Sequence, residues 1–475
     1  MTSALAQAGG AAGGLGLLAL VLGTRRWQRL AGLGGWLFGM GALAVYLAPH
    51  GHRGVLAGAA FIGCLLAALG AAILVRWGWL LPFWVLALAP ARIPVHVGDT
   101  QANLLLPLYG VVAAAALALA WELPGEEDRR RELGPVAWPL GLWVGLTGVS
   151  ILWTKDLRQG AIELVFFVLP FGLLAVSIAR LPWSRRAVVW LYGQLALMGV
   201  LFAAVGVYQW VTRDVFWNPK VIVPNAYLNF FRVNSVFYDP SIYGRFLAVA
   251  ILAGVAVVLS GVTLRVALGI SVVIAATWIG LYYSYSQSSF AALLAGLLIA
   301  AALAWRLRAL VAVALTAVVV LAVGLGSAQV RHTLSHHANT ATSGRLSLVS
   351  NGIHIALDHP VIGVGVAGFK RAYAERTHLK GAEPKAAASH DTPVTVAAET
   401  GLPGLALLAW LLAAVLVVAF RRAGGGFVAR ASAAFGIMVA AIAVHSLFYN
   451  ALFEDPLFWG LLALVAVAAR TEETA

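Results

Sequence analysis

The sequence predicts an all-α protein that crosses a membrane many times, and three observations predict it. Hydrophobic residues make up 61% of the 475 and charged residues only 11%, with a mean hydropathy of +0.88. No compact water-soluble fold of this size hides so much apolar surface. Apolar runs of bilayer-spanning length, about 20 residues each, recur from the N-terminus almost to Ala475. Basic residues cluster on alternate connections between those runs. Strand alternation is absent, and lipid cannot satisfy bare backbone groups, so the spans read as helices and not as a barrel.

The runs fall near 4–23, 30–48, 54–75, 77–91, 104–121, 136–153, 162–179, 188–210, 244–260, 265–283, 288–305, 309–326, 402–420, 432–450 and 457–470, the shorter ones being candidates for re-entrant segments. Together they imply about 12–15 transmembrane helices. Cytoplasmic loops retain basic residues. Arg25, Arg26 and Arg29, then Arg129 to Arg131, Arg180 with Arg185 and Arg186, Arg306 with Arg308, and Arg421, Arg422 and Arg430 therefore mark the inner side. The expected organisation is N-terminal spans over 1–326 with an outer loop at 211–244, a large extracytoplasmic loop at 327–401, and C-terminal spans over 402–475.

The formal charge of +13 would suggest nucleic acid in a soluble protein. Here much of it is the arginine that sets topology and meets anionic membrane lipids, so no nucleic-acid partner is expected. Cys64 is the only cysteine and lies within a run, which excludes an intrachain disulfide and a cysteine metal cluster. The N-terminus has no basic region before its first apolar run and reads as a span, not a cleaved signal.

The outer loops carry the chemistry. Seven of eleven histidines lie between His332 and His390, alongside Arg331, Arg345, Lys370, Arg371 and Arg376. In SHDTPVTVAAETGLPG, Asp391 or Thr392 can cap a short helix with Pro393 in its first turn, and Gly401 can end it in the left-handed region. His390 then precedes a helix N-terminus, whose positive end favours neutral imidazole and whose free N–H groups can face an anion. That is the logic of a general base, although a solvated cap would read the same way locally. Gly401 and Gly404 bring this segment close to the membrane surface. Upstream, Thr342 or Ser343 can cap a helix that stops before His359-Pro360, with Leu346, Val349, Ile353 and Leu357 on one apolar face towards the membrane domain. Arg345 in its first turn either holds phosphate or snorkels at the surface. Gly363, Gly365 and Gly368 spell G-x-G-x-x-G, but without a preceding strand they indicate a tight turn and not a dinucleotide site.

In the first outer loop, FFRVNSVFYDPSIYGRF places Arg232, Asp239 and Arg245 at a membrane boundary, where ionisable residues are functional suspects. An interfacial aromatic belt accounts for Phe230, Phe231, Phe237 and Tyr238.

Arg232 with Asp239-Pro240, the stretch from Gly344-Arg345 to His359-Pro360 and Gly363-Val364-Gly365, and His390 followed by Gly401 and Gly404 resemble the O-antigen ligase and O-antigen polymerase superfamily. Two positions depart from it. Asp391 stands where the family often has Asn, Ser or Gln, and Gln287 in YSYSQSS stands where a Ser-Arg pair is common. The resemblance implies a GT-C-like bundle in a bacterial inner membrane. It implies a glycosyltransferase that moves a glycan from an undecaprenyl diphosphate carrier to an acceptor hydroxyl on the outer face, with inversion. His390 would be the base and Arg232, Arg345 and Arg245 the diphosphate ligands, Arg245 being a candidate replacement for the arginine missing at Gln287; Asp391, Asp239 and Gln287 would support them. No Asp-x-Asp pair occurs, so neither a metal nor another cofactor is expected.

Two other classes compete. A polar-lipid or polysaccharide transporter would carry charged or broken helices near mid-membrane, for which Glu163 and the Tyr282 to Ser289 run are the candidates. A metal-binding sensor would use His332, His336 and His337, but AQVRHTLSHHANTAT offers no carboxylate beside them.

Overall fold

A computed structural model describes residues 2–48, 53–97, 100–125, 127–128, 131–216, 218–227, 230–305, 345–378 and 389–474. The protein is an all-α multi-pass membrane protein. Eleven helices among the described residues are long and apolar enough to cross a membrane, or up to twelve if a bent pair counts as one span. That pair, Ala60–Arg76 and Gly78–Leu88, turns through 114°, so the runs near 54–75 and 77–91 meet at a sharp bend. The expected span at 309–326, the caps Thr342 and Ser343, and His332, His336 and His337 lie outside the described residues.

Pairing between strands occurs once among the described residues. Ile93–Val97 and Thr100–Leu104 form an antiparallel hairpin, with Val95 opposite Ala102. Sequence alternation did not reveal it, because a two-stranded hairpin outside the hydrocarbon needs no buried face.

Small residues let the first two helices approach closely, as in other membrane bundles. A Cβ added at Gly16 would lie 2.4 Å from the Trp36 backbone nitrogen, and one at Gly39 would lie 2.4 Å from Gly13. At one end of the bundle, Arg29 pairs with Glu132 at 2.8 Å and Arg180 reaches the same carboxylate at 3.3 Å. The helix Thr392–Phe420 runs from the other end. It is interrupted at Gly401, where φ is +71° and ψ −173°, a conformation that only glycine adopts readily. A short outer helix and a membrane span are thereby joined at an angle in one continuous segment.

The amphipathic reading of the helix Arg345–Asp358 needs correction. Leu346, Ile353 and Leu357 are exposed, while Leu348, Gly352, Ile355 and Ala356 are buried. Gly352 allows the closer approach: a Cβ there would lie 2.5 Å from a methyl of Val394. The helix is apolar on two faces, and the face bearing the smaller residue packs inward. Phe237 is corrected likewise. It is buried against Phe202, Tyr243 and Phe246 and does not belong to an interfacial belt.

Candidate active site

Two stitched segments build the end of the bundle at which His390 lies. In the first, the turn after His359-Pro360 is sewn to its surroundings by main-chain bonds. Val364 N–H donates to Ala398 O (2.9 Å), Gly365 N–H to Glu399 O (2.9 Å), Lys155 N–H to Val364 O (3.0 Å) and Leu402 N–H to Pro360 O (2.8 Å). The glycine pattern is thus a close-packed turn wedged between the Gly401 kink and residues 150–155. At Gly365 (φ +86°) a Cβ would lie 2.3 Å from Thr154 Cα.

The second segment is the connection 446–455 between the last two helices. Thr392 N–H donates to Ser446 O (2.9 Å) and Thr392 Oγ1 to Asn450 Oδ1 (2.8 Å). Asp455 lies 2.9 Å from Arg245 Nε, and Arg92 donates to Glu454 O at 3.1 Å. One loop therefore ties together the helix start at His390, the helix that begins beside Asp239, and the base of the hairpin.

His390 itself has φ +62°, the left-handed region that a non-glycine residue enters at a cost of roughly 1–2 kcal/mol. Its flanks hold it there. Ser389 Oγ donates to Asp391 O (2.7 Å) and accepts from Asp391 N–H (3.1 Å), and the Asp391 carboxylate caps the helix by accepting from Val394 N–H (2.9 Å). Burial pushes the Asp391 carboxyl above its ordinary range, opposed by that capping bond. Asp391 is accordingly a cap that fixes the histidine's backbone.

Arg232 is pinned by Asn225, which accepts from its N–H (3.0 Å) and donates to its carbonyl (2.8 Å), and its Nε donates to Ser284 O at 3.2 Å. Burial lowers its pKa below the usual arginine value; the charge of Arg345 adds to that effect, and Asp239 and Tyr449 oppose it. Arg232, Arg345, Asp239 and Tyr449 thus share one electrostatic neighbourhood. Arg345 begins its helix, exposed, with no carboxylate partner among the described residues. Asp239 caps the helix Pro240–Leu259 by accepting from Ser241 N–H (2.6 Å).

Arg245 and Gln287 differ from the expected arrangement. Arg245 is 2% exposed and already matched by Asp455, so its charge is spent within the bundle. Gln287 is exposed at the first turn of Gln287–Trp305. Its neighbours turn inward instead: Ser286 Oγ lies 2.7 Å from Ser289 Oγ, and Ser288 Oγ lies 3.1 Å from His445 Nε2.

The sequence reading missed Tyr449, His445 and Arg92. Tyr449 lies 5.6 Å, ring to ring, from His445. Burial raises its phenol, and charges at Asp239, Arg92, Glu454 and Arg245 act on it. The signal was present in SLFYNALFED, a polar run between two spans, but a span drawn over 432–450 absorbed its first half. Glu163, Glu399 and Glu454 line a small cavity of about 60 Å³, room for a few waters and not a sugar. Among the described residues no three His, Cys, Asp or Glu side chains are grouped so as to hold a metal ion.

Comparison with known families favours one of the readings stated for the sequence. Residues 270–409 match the O-antigen ligase family. The match supports the O-antigen ligase and polymerase superfamily, and it spans Gln287, Arg345 and His390 while leaving Arg232, Arg245 and Tyr449 outside it. No curated protein matches the chain. The ligase-family segment begins in the helix Leu264–Ser284 and ends in Thr392–Phe420, so the turn, the kink and the helix start at His390 all fall within it.

Proposed function

We propose that this O-antigen ligase or polymerase type enzyme transfers a glycan from an undecaprenyl diphosphate carrier to an acceptor hydroxyl on the extracytoplasmic face of a bacterial inner membrane, without a divalent cation. The acceptor oxygen attacks the anomeric carbon from the side opposite the diphosphate, which inverts that centre. As the new C–O bond forms, the bond to the phosphate oxygen breaks and its electron pair leaves with the diphosphate. His390 takes the acceptor's proton. Arg232 and Arg345 meet the charge that builds on the leaving group, as planar forks suited to phosphate oxygens. Asp391 and Asp239 act through the helix caps they make, and Arg245 acts through Asp455 on the loop that carries Tyr449.

What supports this reading is that Arg345, without a carboxylate partner among the described residues, acts electrostatically on Arg232 together with Tyr449 of the loop to which the His390 helix start is hydrogen-bonded. A transporter would instead be favoured by unpaired charge at mid-membrane, and the cationic pair stands outside the spans.

The test is transfer by the purified protein from a lipid-diphosphate oligosaccharide, with and without a separate acceptor. His390→Ala is expected to reduce transfer by roughly 10²–10⁴-fold, the ordinary worth of a general base, with donor binding retained. EDTA is expected to leave the rate unchanged. Ladders from donor alone indicate a polymerase, and single transfer that requires added acceptor indicates a ligase. Near-normal transfer by the alanine variant overturns the base assignment.

A further inference from the structure

Along the bundle, with one mouth at the end away from His390, a cavity of about 770 Å³ opens among helices 185–212, 240–259, 264–284, 427–445 and 456–474. Its walls are chiefly aliphatic, with Val189, Leu195, Val249, Ala253, Ala434 and Leu461 among them. Water has too few polar partners to fill such a space. Within a bilayer the available filler is hydrocarbon.

One end of the cavity is chemically different. Arg185 and Arg430 line it, together with Ser260 and Thr263. Three long helices start there, at Arg185, Leu264 and Phe427, so their positive dipole ends lie at that mouth. Topology puts this mouth opposite the candidate active site, because Thr392–Phe420 starts beside His390 and ends seven residues before Phe427. Arg29 and Arg180, elsewhere at this end, share Glu132. Arg185 instead stacks on the Phe427 ring at 4.8 Å. Neither it nor Arg430 pairs with a carboxylate among the described residues.

We propose that this cavity binds an anionic phospholipid from the membrane leaflet at that end, with an acyl chain among the aliphatic walls and the phosphate between Arg185 and Arg430. A zwitterionic choline lipid fits the same walls but brings a cation to a mouth already positive from two guanidinium groups and three helix ends. The lipid is a resident of the fold and not the glycan donor, so the proposal stands independently of the catalytic reading.

The test titrates phosphatidylglycerol and phosphatidylcholine separately against the full-length protein in detergent and counts bound lipid by native mass spectrometry. Phosphatidylglycerol is expected to bind roughly thirtyfold more tightly, the worth of two lipid-facing arginines at about 1 kcal/mol each. Arg185→Gln with Arg430→Gln should remove that preference while leaving chain-dependent binding of both lipids. Ala434→Phe, or Ala256→Phe from the facing helix should the first variant misfold, should reduce binding of both lipids together. Equal binding of the two lipids by the unaltered protein overturns the proposal. So does a preference that survives loss of both arginines, or full occupancy in a folded, cavity-filled variant.

Discussion

At the scale of single residues, what distinguishes His390 is its backbone. A left-handed histidine between two anchored neighbours is strain held in place by Ser389, by the Asp391 cap and by Thr392 bonded to the 446–450 connection. Its position before a helix was legible in the sequence, since cap residues and Pro393 are local signals. The strain was not, because it depends on Ser446 and Asn450, more than fifty residues away. The arginines divide in the same way. All three looked alike in sequence, and only packing separates the exposed Arg345 from Arg245, which Asp455 neutralises. Arg345→Ala is expected to lower transfer sharply, and Arg345→Lys to recover only part of it, because an ammonium cannot reproduce a bidentate fork. The measurement is kcat and KM for the lipid-linked donor, with protein abundance matched. Full rescue by lysine would mean that Arg345 supplies charge alone.

At the scale of elements, the turn at Gly363–Gly368 is the joint on which the site's geometry depends. It hydrogen-bonds at once to residues 398–402 and to Lys155, so it fixes the helix start at His390 relative to the Ser150–Asp156 connection. Gly365→Ala places a methyl group against Thr154 at a positive φ. It is expected to destabilise the protein by more than about 1 kcal/mol, read as a lower unfolding temperature in detergent together with lower transfer. An unchanged unfolding temperature would show that the turn gives way without cost. The helix Arg345–Asp358 shows how far periodicity carries. Spacing identified a helix and an apolar face, but a second face of Leu348, Gly352, Ile355 and Ala356 was equally available. Contact distance at Gly352 decided between them, and hydropathy does not measure contact distance.

At the scale of the whole molecule, arginine clusters on alternate connections predicted which ends of the spans lie together. The Arg29–Glu132–Arg180 network joins three of those connections at one end, while His390, Asp239 and the 446–455 connection gather at the other. On a Cys64→Ala background, a thiol reagent that does not cross membranes is expected to modify Lys370→Cys from outside intact cells and to leave Arg186→Cys unlabelled until the membrane is opened. The reverse pattern would invert the topology and place the proposed site on the wrong face.

By itself the sequence determined the class of the molecule, the approximate positions of most spans, and the connecting segments that carry ionisable residues. Each of these follows from local properties: hydropathy summed over a bilayer's thickness, charge beside a span, and capping chemistry within one turn. Tertiary structure alone decided that 54–75 and 77–91 meet at a sharp bend, which face of Arg345–Asp358 packs inward, that Arg245 belongs to Asp455, and that Asp239, Arg92 and Glu454 act on Tyr449. Those are matters of distance between segments remote in the chain. Most helices here are apolar around much of their circumference, in lipid as in the core, so their sequences do not record which neighbour each side meets.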